Sequence, residues 1–273
     1  MIVALIDNGS LEAAAHRNLR ALAAELSVRT RVDVAPVSWK HSDRIPPAAL
    51  GGKGAWTLAP WVRAQVESGE RNFVFVPFFI SPQGAIGSAL RRDLERLQQE
   101  LGGFRATFTA GLGSPAAIAR VVAARIRETM TQHALTRPAV IVVDHGGPSP
   151  VSATLRDDIA AAARQILGAE IGALIPASME GAEHDHNTPL FADVLATRGY
   201  DRGDVVVAPL FLAPGRHAGH RGDLAQMAIA AEDRLGTAAL RCFFTGLVGT
   251  HADIIPTLAE GLTHTLSTFH VAA

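Results

Sequence analysis

The chain repeats itself, and that constrains its fold more than any other feature. Phe73–Gly87 reads FVFVPFFISPQGAIG and Val205–Gly219 reads VVVAPLFLAPGRHAG, with Pro77, Phe79, Pro82 and Gly87 facing Pro209, Phe211, Pro214 and Gly219 at an offset of 132. Both copies then reach Asp-Leu, at Asp93-Leu94 and Asp223-Leu224. Upstream, Asp7-Asn8-Gly9 ends an apolar run as Asp144-His145-Gly146 does, 137 residues later. Downstream, Ala110-Gly111-Leu112 matches Thr245-Gly246-Leu247 at an offset of 135. Three matches in the same order with a small drift mark two diverged copies of one unit, the drift falling in loops where insertions cost little.

Each copy reads strand, helix, strand, loop and helix, strand, helix, strand, helix. Strands are predicted near Met1–Ile6, Val32–Val37, Phe73–Phe79 and Phe104–Ala110, and again near Val140–Asp144, Glu170–Ala177, Val205–Phe211 and Leu240–Thr245. They are short continuous apolar runs, the pattern of parallel strands covered on both faces. Alternating with helices, they predict an α/β fold of two similar doubly wound lobes, each around a mainly parallel four-stranded sheet. The expected lobes are 1–130 and 139–273, joined by the polar segment Thr129–Pro138.

Composition excludes several classes. A net charge of −1 does not supply the basic surface that a general nucleic-acid binder needs. No stretch is apolar for long enough to span a membrane, and the first residues lack a signal-peptide pattern, so a cytoplasmic protein is expected. The single cysteine, Cys242, reads as core packing. Alone it forms no intramolecular disulfide, and no cysteine-ligated iron–sulfur cluster is expected.

In open parallel sheets ligands bind beyond the carboxyl ends of the strands. In the second copy those ends carry Asp144 and His145, then Ser178-Met179-Glu180 with Glu183, His184, Asp185 and His186 further on, then Arg216 and His217 followed by His220, Arg221 and Asp223. Imidazoles beside carboxylates suit a divalent first-row metal with open coordination positions and a general base. Taken singly, each has a plainer reading: His145 as a turn residue, His217 and His220 as a solvated loop, His184 and His186 as surface residues, Asp144 as a cap. Their joint placement on strand ends carries the functional reading. The first copy has Asn8 where the second has His145, and Ala85 where it has His217. His41 and Asp43 are the comparable residues of the first copy, and a surface role is expected for them.

The motifs Val143-Asp144-His145-Gly146, Ser178-Met179-Glu180 and Pro209–His217 with its following Asp-Leu resemble the class II chelatases, more narrowly the sirohydrochlorin cobaltochelatase and ferrochelatase group. Asp185–Leu190, and Gly246-Leu247 with His251, share in the likeness, which is stronger over 139–262 than over the degenerate copy at 1–129. The resemblance implies a lyase of cobalamin or sirohaem biosynthesis that inserts a divalent metal into a tetrapyrrole held in a cleft between the lobes. Co²⁺ is the first expectation, with Fe²⁺ or Ni²⁺ as alternatives. It implies that His145 and His217 bind the metal and that Glu180, with His145, accepts the pyrrole protons. Arg216, His220 and Arg221 would meet the substrate's carboxylates. His220 is the alternative to His217, and Glu183 the alternative to Glu180. A non-catalytic metal or tetrapyrrole carrier is the second reading, and an unrelated metal-dependent hydrolase the third. A homodimer is left open.

Overall fold

A computed structural model describes residues 1–80, 85–215, 217–219, 222–236 and 239–271, with side chains omitted for 85–87 and 269–271. The chain divides into two compact units: unit 1 comprises 1–113 with 252–273, and unit 2 comprises 114–251.

Unit 1 begins with β1 (Ile2–Asp7), α1 (Ala13–Thr30) and β2 (Val34–Ser38). There follow β3 (Trp56–Thr57), α2 (Leu58–Glu67), β4 (Asn72–Pro77), α3 (Ala85–Leu101) and β5 (Arg105–Phe108). The sheet is parallel, in the order β3-β2-β1-β4-β5. The expectation of four strands omits β3, because two residues are too few to leave a periodic signal. Phe73, Phe75, Leu90, Leu94 and Trp61 are buried together on one face of the sheet. Each such side chain contributes about 1.5–3 kcal/mol through removal from water.

Unit 2 comprises α4 (Pro115–Gln132), β6 (Ala139–Asp144), α5 (Pro150–Leu167), β7 (Ala173–Ser178), α6 (Phe191–Val194), β8 (Gly203–Pro209), α7 (Asp223–Leu235) and β9 (Leu240–Phe244). Its sheet is parallel in the order β7-β6-β8-β9. The repeat holds at the level of register. Ile6 pairs with Val37 and Pro77 in unit 1, and Val143 pairs with Ala177 and Pro209 in unit 2.

The compact units are cut differently from the sequence repeats. The helix that closes the first repeat, α4, packs against α5 of unit 2, and α8 (Ile254–Val271), which closes the second repeat, packs against α1 of unit 1. Pro115 sits in the first turn of α4, where its missing N–H is not needed, and Ser114 caps the helix by accepting from the Ala117 amide at 3.3 Å. Among the described residues no helix is long and apolar enough to cross a membrane.

Candidate metal and active site

Two backbone bonds knit the turn after β6 to the turn after β7: Met179 N donates to Asp144 O at 2.9 Å and Glu180 N donates to His145 O at 3.2 Å. Gly146 makes this close approach achievable. It has φ +82°, and a Cβ there would lie 2.0 Å from the Glu180 carbonyl oxygen. The turns thereby deliver His145 and Glu180 side by side, with His145 Nε2 3.3 Å from Glu180 Oε1. Both side chains are about half exposed, 46% and 54%.

His217 joins them from the loop after β8. Its ring stands edge-on to that of His145, at 84° and 4.7 Å between centroids. Its Nδ1 lies 2.7 Å from Asp223 Oδ2, at the first residue of α7, where the helix dipole favours a carboxylate. That contact occupies one ring nitrogen and leaves Nε2 as the atom available to a ligand.

Beneath the rim lies a buried polar network that the sequence reading did not single out. Arg156 of α5, 2% exposed, reaches Ser178 Oγ at 2.5 Å, and Ser178 donates to Asp144 Oδ1 at 2.7 Å. Asp144 in turn accepts from Gly146 N at 3.2 Å, fixing the turn that carries His145. Burial pushes the Asp144 carboxyl above the usual carboxylate range, opposed by the Ser178 hydroxyl and the Arg156 charge. Arg156 also donates to His186 O at 3.3 Å, tying in the second loop. Buried Asn187 completes that loop by donating to Gly147 O at 3.1 Å and Gly181 O at 2.9 Å.

The remaining candidates sort by contact. Glu183 is exposed and faces its neighbour His184 at 3.8 Å, whereas Glu180 faces His145. His184 and His186 stack in parallel at 5.3 Å, and His186 Nε2 lies 2.8 Å from Gly147 O, a structural bond. Arg216, His220 and Arg221 lie outside the described residues. Cys242 is partly buried beside Glu232, and burial pushes its thiol up to about 12, so it is no nucleophile at neutral pH. Among the described residues no three His, Cys, Asp or Glu side chains form a group able to hold a metal ion.

A family model described as CbiX matches residues 2–129. Residues 2–129, just under half of the chain, are thus similar to the CbiX family. The match falls on the first repeat, whereas the motifs place the stronger likeness in the second, and it does so although Asn8 and Ala85 stand opposite His145 and His217.

Among solved structures, SirB from Bacillus subtilis with Fe³⁺ superposes with a TM-score of 0.68 at 14% identity, covering 97% of this chain and 96% of SirB. CbiX, described as the terminal enzyme for biosynthesis of siroheme in denitrifying bacteria, gives 0.61 at 19% identity, covering 97% and 99%. DR2241 from Deinococcus radiodurans, a multi-domain protein with structural similarity to chelatases, gives 0.63 at 21%, covering 96% of this chain and 53% of DR2241. At these identities the likeness establishes the shared chelatase fold. Comparison with curated protein sequences returns no significant match.

Proposed function

We propose that the chain inserts a divalent metal into a sirohydrochlorin-type tetrapyrrole, with unit 2 as the half that handles the metal. The observation that carries this reading is the convergence of His145, His217 and Glu180 on one rim, with the two imidazoles 4.7 Å apart. Support comes from the family match and from relatives whose structures hold Fe³⁺ or cobalt. Co²⁺ and Fe²⁺ both suit imidazole and carboxylate donors, with Co²⁺ the first choice and Ni²⁺ third.

Insertion exchanges two pyrrole N–H protons for one M²⁺, so the site must both offer the metal and take up protons. His145 and His217 offer the metal through ring nitrogens. A pair of imidazoles with open positions can release it to the macrocycle more readily than a closed four-ligand shell. Glu180, half exposed beside His145, accepts the departing protons, and His145 shares that task once the metal has left it. Asp223 holds the His217 ring in the orientation and tautomer that present Nε2. Arg216, His220 and Arg221 complete the proposal as partners of the substrate's acidic side chains.

The test is anaerobic and spectroscopic. Purified protein mixed with sirohydrochlorin and Co²⁺, then Fe²⁺, should convert the free macrocycle's absorbance to that of the metal complex, and His217→Ala should abolish the acceleration. Binding of metal and macrocycle without accelerated conversion would instead establish the carrier reading.

A further inference from the structure

Unit 1 contains a cavity of about 450 Å³ whose lining includes Lys40 and Asp93, the counterparts of Glu180 and Asp223 on the rim of unit 2. The correspondence is set by the backbone. Trp39 N donates to Asp7 O and Lys40 N to Asn8 O, as Met179 and Glu180 do in unit 2, and a Cβ on Gly9 would lie 1.7 Å from the Lys40 carbonyl oxygen. Lys40 therefore stands where Glu180 stands, and Asn8 where His145 stands. Asp93, the counterpart of Asp223 in the Asp-Leu match, accepts from the Trp39 indole at 3.0 Å and faces Lys40 at 3.7 Å and Arg96 at 3.2 Å. The ligating character of the rim is gone, and its charge is reversed at the position of Glu180.

We propose that this cavity binds a small carboxylate-bearing anion. Trp39, Leu58 and Leu97 supply apolar lining, and Lys40, Arg44 and Arg96 supply cations. Four cationic side chains line it against three acidic ones. Glu100 is taken by Arg63, Asp93 serves both Lys40 and Arg96, and Asp43 adjoins Arg44 in the chain, which leaves one positive charge in excess for an anion to meet. The mouth includes the first turn of α2, where Thr57 makes no side-chain capping bond, so the helix end adds to the attraction for an anion. The wall is also preset. Ser42 N donates to Lys40 O at 2.9 Å across His41, which is held at φ +70° and ψ −34°, a strained γ-turn that fixes the segment carrying Lys40. The cavity is lined by polar and apolar groups alike, and its size is that of a small-molecule site with convergent charged groups. This inference does not depend on turnover in unit 2.

Isothermal titration of the full-length metal-free protein with citrate as probe tests it. Citrate should bind once per chain, and Lys40→Glu and Arg96→Ala should each weaken binding at least about tenfold, the effect of losing a charge-assisted contact. His145→Ala, in the other unit, should leave citrate affinity unchanged. Absence of citrate binding, or binding indifferent to both Lys40→Glu and Arg96→Ala, would overturn the proposal. Titration in the presence of sirohydrochlorin separates two sources of the anion. Displacement of citrate identifies a carboxylate arm of the macrocycle as the occupant, and coexistence identifies a separate small acid.

Discussion

In unit 1 the buried serine at the end of the second strand, Ser38, is approached by His16 of α1, with Nδ1 3.4 Å from the hydroxyl. In unit 2 the matching serine, Ser178, is approached by Arg156, one turn further along the matching helix α5. The serine and the aspartate it meets, Asp7 or Asp144, are common to both. The two networks differ in charge. Burial raises the Asp7 carboxyl to about 6 and lowers His16 to about 4, so His16 stays neutral at neutral pH. Asp144 instead has the Arg156 cation 3.8 Å away. The same backbone frame thus rests on a weakly charged network in one unit and on a buried cation in the other, and the half with the buried cation is the one whose rim carries imidazoles.

The largest expected effect comes from breaking the charged network. Arg156→Leu leaves Asp144 and Ser178 buried without their cation and should destabilise the chain by about 3–5 kcal/mol. His16→Leu in unit 1 removes a neutral partner and should cost about 1–3 kcal/mol. Denaturant unfolding of the two variants compares them, and equal losses would erase the distinction drawn between the networks.

Titration of unit 1 gives the next effect. The folded-state carboxyl of Asp7 lies above its unfolded value of 3.8, so its contribution to stability is present at low pH and is lost as pH rises from about 4 through about 6. His16 acts in the opposite sense. Its folded value of about 4 lies below 6.5, so its contribution is present above pH 6.5 and is lost as pH falls towards 4. The two slopes oppose one another over nearly the same window. Asp7→Asn, which can still accept from the Gly9 amide, should remove the first slope. Stability would then rise from pH 4 to 6.5, with a gain over the parent of at most about 3 kcal/mol at pH 7. An unchanged pH profile of the melting temperature would show that Asp7 is not held in the way described.

A smaller effect, expressed in activity, concerns the aspartates shared by the Asp-Leu match. Asp223→Asn should weaken metal handling by about 10–100-fold through loss of the His217 orientation, with global stability little changed. Asp93→Asn, on an unligated rim, should leave metal affinity unaltered. Metal titration of the two variants reads this directly.

Much of this organisation was legible in the sequence. Strand-end motifs such as Asp7-Asn8-Gly9 and Asp144-His145-Gly146 placed the repeat, the parallel sheets and the rim, because turns of this tightness demand glycine and leave a fixed trace. Three things left no such trace. Arg156 sits in a helix whose pattern reads equally well with that arginine solvated, and only the reach of α5 over β7 shows it buried. The assignments of α4 to unit 2 and α8 to unit 1 are invisible because an amphipathic helix reads the same whichever sheet it covers. The reversal from Glu180 to Lys40 was open to inspection through the serine two residues before each, Ser178 and Ser38, but it acquires meaning only once the hydrogen bonds align the two turns.

We propose that unit 2 handles the metal and that unit 1 keeps the frame without the ligands. The most direct measurement is the initial rate of Co²⁺ insertion into sirohydrochlorin for His145→Ala beside Asn8→Ala, the same strand-end position in the two units. Loss of the protein-dependent rate in His145→Ala, with Asn8→Ala at the parent rate, is the expected result. Full activity in His145→Ala, or its loss in Asn8→Ala alone, would contradict the claim.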